Sequence, residues 1–200
     1  MILYGASGHG KVIAEILREN AVEDIVFWDD NQDACIENEK VSLPDSPDSK
    51  TELIVTVGLN HIRHDIARSV NSATFGTAIH SKAIISKSSK IGAGSVVMAM
   101  AVINASAILG SHVIVNTGAI IEHDCIIDDF VHVSPGATVC GGVRIGEGTW
   151  IGAGATVKNG VTIGKWAIIA MGAVVISDVP DNAVYAGVPA VFKRTNLNIR

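Results

Sequence analysis

Val115-Asn116-Thr117-Gly118-Ala119-Ile120-Ile121-Glu122-His123-Asp124-Cys125-Ile126-Ile127-Asp128-Asp129-Phe130-Val131-His132-Val133 is a six-residue pattern laid end to end. Aliphatic residues stand at Val115, Ile121, Ile127 and Val133, and the same register runs back through Leu109, Ile103, Val97, Ile91, Ile85 and Ile79. Forward it continues through Val139, Ile145, Ile151, Val157, Ile163, Ile169 and Val175 without a break. A period of six matches neither the 3.6 of an α-helix nor the 2 of a simple strand; it suits a short strand and a turn repeated around a three-sided coil, about eighteen residues per coil. Two places before each aliphatic residue, from Ala83 to Ala173, stand only Ala, Ser, Val, Cys or Thr, side chains small enough for an interior corner. The two positions share one parity and point inward, while the residues between them point out. Coils stacked about 4.8 Å apart bury the aliphatic rows in one continuous core.

Composition agrees with a core that needs few aromatics: 48% hydrophobic, 4% aromatic and 18% charged, with twenty Gly in 200 residues. A net charge of −5 argues against non-specific binding to nucleic acid or an anionic membrane. The expected partner is small, or another copy of the chain. No run of eighteen apolar residues marks a membrane span, and Met1-Ile2-Leu3-Tyr4-Gly5 does not open a signal peptide, so no membrane insertion and a cytoplasmic location are expected. Cys35, Cys125 and Cys140 lack metal spacing and are odd in number, which predicts free thiols, with Cys125 facing the core.

Residues 1–78 read differently. A strand at Met1–Tyr4, a helix from about Gly10 to Glu19 with Val12, Ile13, Ile16 and Leu17 on one face, and a strand at Asp24–Trp28 precede a polar stretch, Asn31–Lys50. A strand at Thr51–Gly58 and a helix at Asn60–Val70 follow, giving a parallel sheet of at most three strands. Between the first strand and helix, Gly5-Ala6-Ser7-Gly8-His9-Gly10-Lys11 offers helix N-terminal N–H groups to an anion. It is not a P-loop, because Val12 lacks the hydroxyl that a nucleotide-bound Mg²⁺ requires, and its glycine spacing is not the dinucleotide fingerprint. Asp29 and Asp30 end the second strand, where acids commonly take ribose hydroxyls or a base edge, although such a pair is also a common solvated turn. With the third strand end at Val57-Gly58, the three converging carboxyl ends point to a nucleotide-diphosphate site.

The chemistry is sought among the histidines His80, His112, His123 and His132 of the repeat region. His123 lies two past Ile121, at a corner, with Ala105 and Gly141 one coil away on either side, so small neighbours leave a notch for its ring. An imidazole near its ordinary pKa is the usual general base, and Asp124, or Glu122 in its place, is the acid that would fix its tautomer. A second corner, Ser111, Asp129, Glu147 and Lys165, reads as a solvated edge; the third, Thr117, Pro135, Ala153 and Met171, is nearly uncharged and suits another surface or a pantetheine arm. A prism with such corners invites a homotrimer whose grooves set one chain's His123 against another chain's third corner. The repeat region has no H-x-x-x-x-H, and His112, His123 and His132 fall at different turn phases, so no metal is expected.

The repeats, together with Tyr4-Gly5-Ala6-Ser7-Gly8-His9-Gly10, Val115-Asn116-Thr117, Glu122-His123-Asp124-Cys125, Phe130-Val131-His132-Val133-Ser134-Pro135-Gly136-Ala137 and Ala186-Gly187-Val188-Pro189-Ala190, resemble the left-handed β-helix sugar O-/N-acetyltransferases of the sialic-acid acetyltransferase type. Within them the chain is most similar to the UDP-4-amino-sugar N-acetyltransferases of the bacillosamine pathway. The resemblance implies a small Rossmann-like α/β domain over residues 1–78 and a left-handed parallel β-helix of hexapeptide repeats over 79–178; the C-terminal tail over 179–200 is expected to leave the prism after Pro180. The same resemblance implies His123 as general base with Asp124 as partner, His132 near the acetyl-CoA thioester, and Gly141, Ala153 and Met171 along the cofactor. Ser7, Gly8, His9, Asp29, Asp30 and Gly58 match the UDP-sugar pocket, with Asn116 near the acceptor. The implied reaction is direct acetyl transfer from acetyl-CoA to a sugar 4-amine. O-acetylation of a sialic acid or related sugar is the alternative enzyme reading, and a non-catalytic sugar-nucleotide-binding trimer is the alternative of another class.

Overall fold

A two-residue strand followed by a four-residue turn is the unit that a six-residue repeat dictates, and the chain builds it seventeen times, from β6 (Ala78–Ile79) to β22 (Val174–Val175). The computed structural model describes every residue except 32, 37, 38, 40, 46–50, 71 and 198–200; those residues of the polar 31–50 stretch lie outside the described residues. Each short strand pairs in parallel with the one eighteen residues along, as in Ile103↔Ile121 and Ile121↔Val139, so every third strand joins the same face of a three-sided solenoid.

The second residue of each strand is the inward aliphatic, and from Val97 to Val175 these residues are all buried, interleaved with the small row at Ala101, Ala107, Cys125, Ala137 and Ala167. Ile79, Ile85 and Ile91 are only partly buried, because the first coil has a solenoid neighbour on one side alone. Two polar members of the small row are satisfied internally: Ser95 Oγ donates to Gly110 O and Thr149 Oγ1 to Gly164 O, and they accept from Val113 N and Ala167 N.

The three faces differ in what they turn outward. The first carries Val96, Ile114, His132, Trp150 and Ile168; the second Ile84, Val102, Ile120, Thr138, Thr156 and Val174; the third Lys90, Ile108, Ile126, Arg144 and Thr162. His123 stands on the corner between the second and third faces. Ala153 and Met171 stand on the corner between the first and second.

The N-terminal unit comprises β1 (Ile2–Tyr4), α1 (Gly8–Glu19), β2 (Val26–Trp28), β3 (Val41–Ser42), β4 (Glu52–Val55), α2 (Asn60–Ser69) and β5 (Thr74–Phe75). Its sheet runs β3-β2-β1-β4-β5, all parallel, with Leu3 flanked by Phe27 and Ile54. Five strands replace the expected three, because β3 and β5 are two-residue strands that show no alternation in the sequence. Helix α1 begins two residues earlier than read, at Gly8, and Val12 is not on its inner face: it is 40% exposed, while Ile13, Ile16 and Leu17 meet Leu3, Phe27 and Ile54.

The unit packs onto the start of the first face, where Ala78, Val96 and Met98 join the cluster under α1 and Phe130 joins the one under α2. The C-terminal segment departs from the expectation that it leaves the prism. β23 (Ala183–Ala186) extends the first face beside β21 (Ile168–Ile169), and β24 (Val191–Thr195), exposed throughout, folds back on it antiparallel.

Candidate active site

From Gly94 to Gly172 the turn after each rung places the residue three past the aliphatic in the left-handed region, and Asp124 occupies that position with φ 60°. A short polar side chain tolerates this conformation. It also folds the carboxylate back beside the preceding residue, so that the His123 imidazole Nδ1 meets Asp124 Oδ2 at 2.8 Å, while Glu122 Oε2 accepts only the His123 backbone N–H at 3.4 Å. Asp124 rather than Glu122 therefore contacts the ring. With Nδ1–H donating to the carboxylate, Nε2 carries the lone pair. The bond to Asp124 raises the His123 pKa above its ordinary value, in an exposed position.

The notch beside this ring is real and tight. A Cβ on Gly141 would stand 2.6 Å from His123 Nε2. Cys125 is buried, and its Sγ donates to Cys140 O; Cys140 is half-buried on the same corner.

His132 is set on the outer side of the first face by β15 (His132–Val133), away from the His123 corner. Only 7% exposed, its ring stacks on Trp150 of the next coil at 5.8 Å and 6°, and lies 6.5 Å from His9 of α1. Its Nε2 lies 3.0 Å from Asn116 Nδ2 and its Nδ1 3.3 Å from Gly58 O. Burial, with Arg63 nearby, pulls its pKa down to about 3, and the same causes pull His9 down to about 4, so both rings are neutral at physiological pH. Among the described residues His9 Nε2, which is buried, has no hydrogen-bond partner.

Beyond His132 an apolar groove of about 410 Å³ runs along Ser134, Pro135, Trp150, Gly152, Ala153, Ile168 and Met171, with the Trp150 indole donating to Ser134 Oγ at 2.7 Å. Ala153 and Met171, eighteen residues apart, are both exposed on its rim. Gly141 lies on the other corner and does not line this groove. Within one chain, His123 and the groove are thus separated by the whole second face.

At the other end, Ser7 caps α1 with its backbone, and Gly5 is held at φ 128°, where a Cβ would press on Val57 and Thr56. Ser7 and Gly8 are exposed at the helix start, with no acidic residue in the first turn to occupy its N–H groups. Asp29 is already engaged: Oδ2 accepts Ala6 N–H at 2.7 Å and Oδ1 accepts Asn31 N–H at 2.9 Å. Its carboxylate ties the glycine turn to the end of β2. Asp30 Oδ1 accepts the Tyr4 hydroxyl at 2.9 Å; burial, then that bond, drives the Tyr4 pKa upward. Gly58 needs no glycine for space, since a Cβ there would meet nothing within 4 Å; its contribution to the site is its carbonyl.

Reading the sequence missed Arg63, Asn60 and Trp150. Arg63 is 1% exposed and donates to His112 O, Val57 O, Gly58 O, Asn60 Oδ1 and Phe130 O, using all five of its N–H groups. Asn60 donates in turn to Gly148 O and Thr149 O. The signal was present in α2, where Asn60, Arg63 and Ala67 follow the spacing of a buried face although two of them are polar. Among the described residues no group of three or more His, Cys, Asp or Glu converges as a metal-ligand set, and no helix is long and apolar enough to cross a membrane.

An α/β unit with an anion-ready glycine turn, mounted on a hexapeptide prism that carries an exposed His–Asp pair and an apolar groove, defines a hexapeptide transferase. The family described as the PglD N-terminal domain matches residues 1–70, and that of the bacterial transferase hexapeptide matches residues 142–177. No curated protein sequence matches the chain. Among solved structures it is similar to the acetyltransferase domain of PglB from Neisseria gonorrhoeae, with 39% identity over 96% of this chain and 98% of that one and a TM-score of 0.92. It is also similar to a histidine variant of perosamine N-acetyltransferase from Caulobacter crescentus, with 34% identity over 96% of each chain and a TM-score of 0.91. WeeI from Acinetobacter baumannii follows at 25% identity over 96% of this chain and 98% of that one, TM-score 0.89. The chain belongs to the PglD family of hexapeptide sugar N-acetyltransferases.

Proposed function

We propose that the protein transfers acetyl from acetyl-CoA to the 4-amino group of a UDP-linked amino-deoxy sugar, as in bacillosamine synthesis, with His123 as general base and Asp124 as its partner. The observation that carries this reading is the exposed imidazole whose Nδ1 is held by a carboxylate at 2.8 Å and whose Nε2 stands over a glycine. The PglB domain is known in complex with acetyl coenzyme A, and the Caulobacter enzyme with CoA and GDP-perosamine; both support a donor thioester and a nucleotide-sugar acceptor here.

The sugar nitrogen's lone pair attacks the thioester carbonyl carbon, Nε2 of His123 takes a proton from that nitrogen, and the carbon–sulfur bond breaks to release CoA thiolate. No acyl-enzyme is required. The diphosphate is received at Ser7, Gly8 and His9, and the nucleoside at Asp30, since both oxygens of Asp29 hold backbone N–H groups. Gly58 and Asn116 lie toward the acceptor. The donor's pantetheine arm takes the groove at His132, Ala153 and Met171 and reaches the His123–Gly141 corner of a neighbouring copy.

That last step calls for a homotrimer. The second face turns β-branched residues outward from Ile84 to Val174 and is bounded by the His123 corner on one edge and the Ala153–Met171 corner on the other. Three copies with this face toward a common axis bring each His123 against a neighbour's groove.

The test is thiol release from acetyl-CoA with a UDP-4-amino sugar, a GDP-4-amino sugar, CMP-sialic acid and free sialic acid. The UDP-amine is expected to turn over fastest. Replacement His123→Ala is expected to lower kcat by about 10²–10⁴, the usual contribution of a general base, with acetyl-CoA affinity nearly intact. Full activity in that variant removes His123 from the mechanism.

A further inference from the structure

A chain of hydrogen bonds crosses from the α/β unit into the solenoid through His132. Thr117 N–H donates to Asn116 Oδ1 at 2.8 Å, which turns the amide so that its Nδ2 faces His132 Nε2 at 3.0 Å, and His132 Nδ1 faces Gly58 O at 3.3 Å. One assignment satisfies every pair: Asn116 Nδ2–H donates to an unprotonated Nε2, and Nδ1–H donates to the carbonyl. The opposite assignment sets two N–H groups against each other at Thr117 and a lone pair against an oxygen at Gly58. Unpaired buried polar atoms of that kind cost about 1–3 kcal/mol each.

The Gly58 carbonyl is therefore the anchor, and its glycine has no side chain to hold it in place. Arg63 holds it. It donates through Nη1 to Gly58 O and to Val57 O, while Nε and Nη2 grip His112 O and Phe130 O on the solenoid. Among the described residues no carboxylate pairs with this guanidinium; its acceptors are four carbonyls and the Asn60 amide oxygen.

We propose that Arg63 is a positioning residue for acetyl transfer: by pinning the Gly58 carbonyl it holds His132 as the Nδ1–H tautomer and so fixes the Asn116 amide with its second N–H left for a ligand beside the groove. With both ring nitrogens engaged within the protein, His132 then presents a stacked ring, not an N–H donor, to the bound thioester. The kinetic part rests on the transferase reading; the tautomer does not.

Histidine-selective ¹⁵N NMR near neutral pH, with His132 assigned by its loss in His132→Asn, reads the tautomer directly. The free protein is expected to show a protonated Nδ1 and a lone-pair-bearing Nε2. Arg63→Lys keeps a cation but loses the planar fork. It is expected to mix the two tautomers and to lower kcat about 10- to 100-fold, by analogy with the loss of an outer partner of a metal-ligating histidine, with KM for acetyl-CoA within about twofold. An Nε2–H ring in the unaltered protein overturns the proposal, and so does a folded Arg63→Lys that keeps the Nδ1–H signal and full kcat. Should Arg63→Lys fail to fold, the spectrum of the unaltered protein decides. Absence of thiol release with every nucleotide sugar overturns the transferase reading and leaves that spectrum to judge the tautomer.

Discussion

Asp124 does two jobs at one residue: it takes the left-handed turn conformation that the repeat demands, and in doing so it delivers a carboxylate to its neighbour's ring. In the proposed mechanism the neutral imidazole is the competent base, and since Asp124 raises its pKa, the acid limb of kcat/KM is expected at higher pH than an unpaired imidazole would give. Asp124→Asn is expected to shift that limb to lower pH while reducing the plateau rate, as a pH–rate profile would show; an unmoved limb disconnects Asp124 from the titrating group. Gly141→Ala isolates the notch. Its φ lies outside the left-handed region, so the backbone accepts a methyl group, but that methyl reaches within 2.6 Å of Nε2 and must displace the ring. A loss of about 10²-fold in kcat, as for other small misplacements of a catalytic group, is expected with little change in Tm. His123, its notch and its acid were legible because position within the hexapeptide fixes the corner. The engagement of Asp29 was not, because an acid at a strand end looks the same whether its oxygens face ligand or backbone.

Among the repeating turns, each left-handed position is filled by glycine or by a residue that bears the strain, as at Met100, Ser106, His112, Phe130 and Trp166. Glycines in this row differ in a second respect. A Cβ on Gly148 would run into the Trp166 ring, whereas one on Gly154 meets nothing within 4 Å, although their φ values are 67° and 65°. Each alanine variant incurs about 1–2 kcal/mol for the left-handed conformation. Gly148→Ala must also shift an indole, so thermal unfolding should show it to be the less stable of the two; equal Tm values would mean that the indole yields freely. Rungs were easy to read because the same pattern recurs seventeen times. Strands β3 and β5 were not, since two residues carry no period, and Arg63 was passed over because a cation on a polar helix ordinarily faces water.

For the whole molecule, the decisive fact is that His123 and the groove stand on opposite edges of one face. If sites form between copies, a His123→Ala chain and a chain whose groove is filled by Ala153→Trp are each inactive alone, yet trimers of randomly mixed chains regain about a quarter of full activity, the chance that a sound corner meets a sound groove. No recovery in verified mixed trimers would confine the site to a single chain. The coil also works as a counting device. Side chains eighteen residues apart share a corner, so removing one hexapeptide between His123 and Gly141 would leave every rung paired but slide Glu147 beneath the imidazole. Loss of a complete turn beyond Gly141 would shorten the rod and spare the chemistry. Such a scaffold accepts changes of length in whole turns and rejects them in thirds.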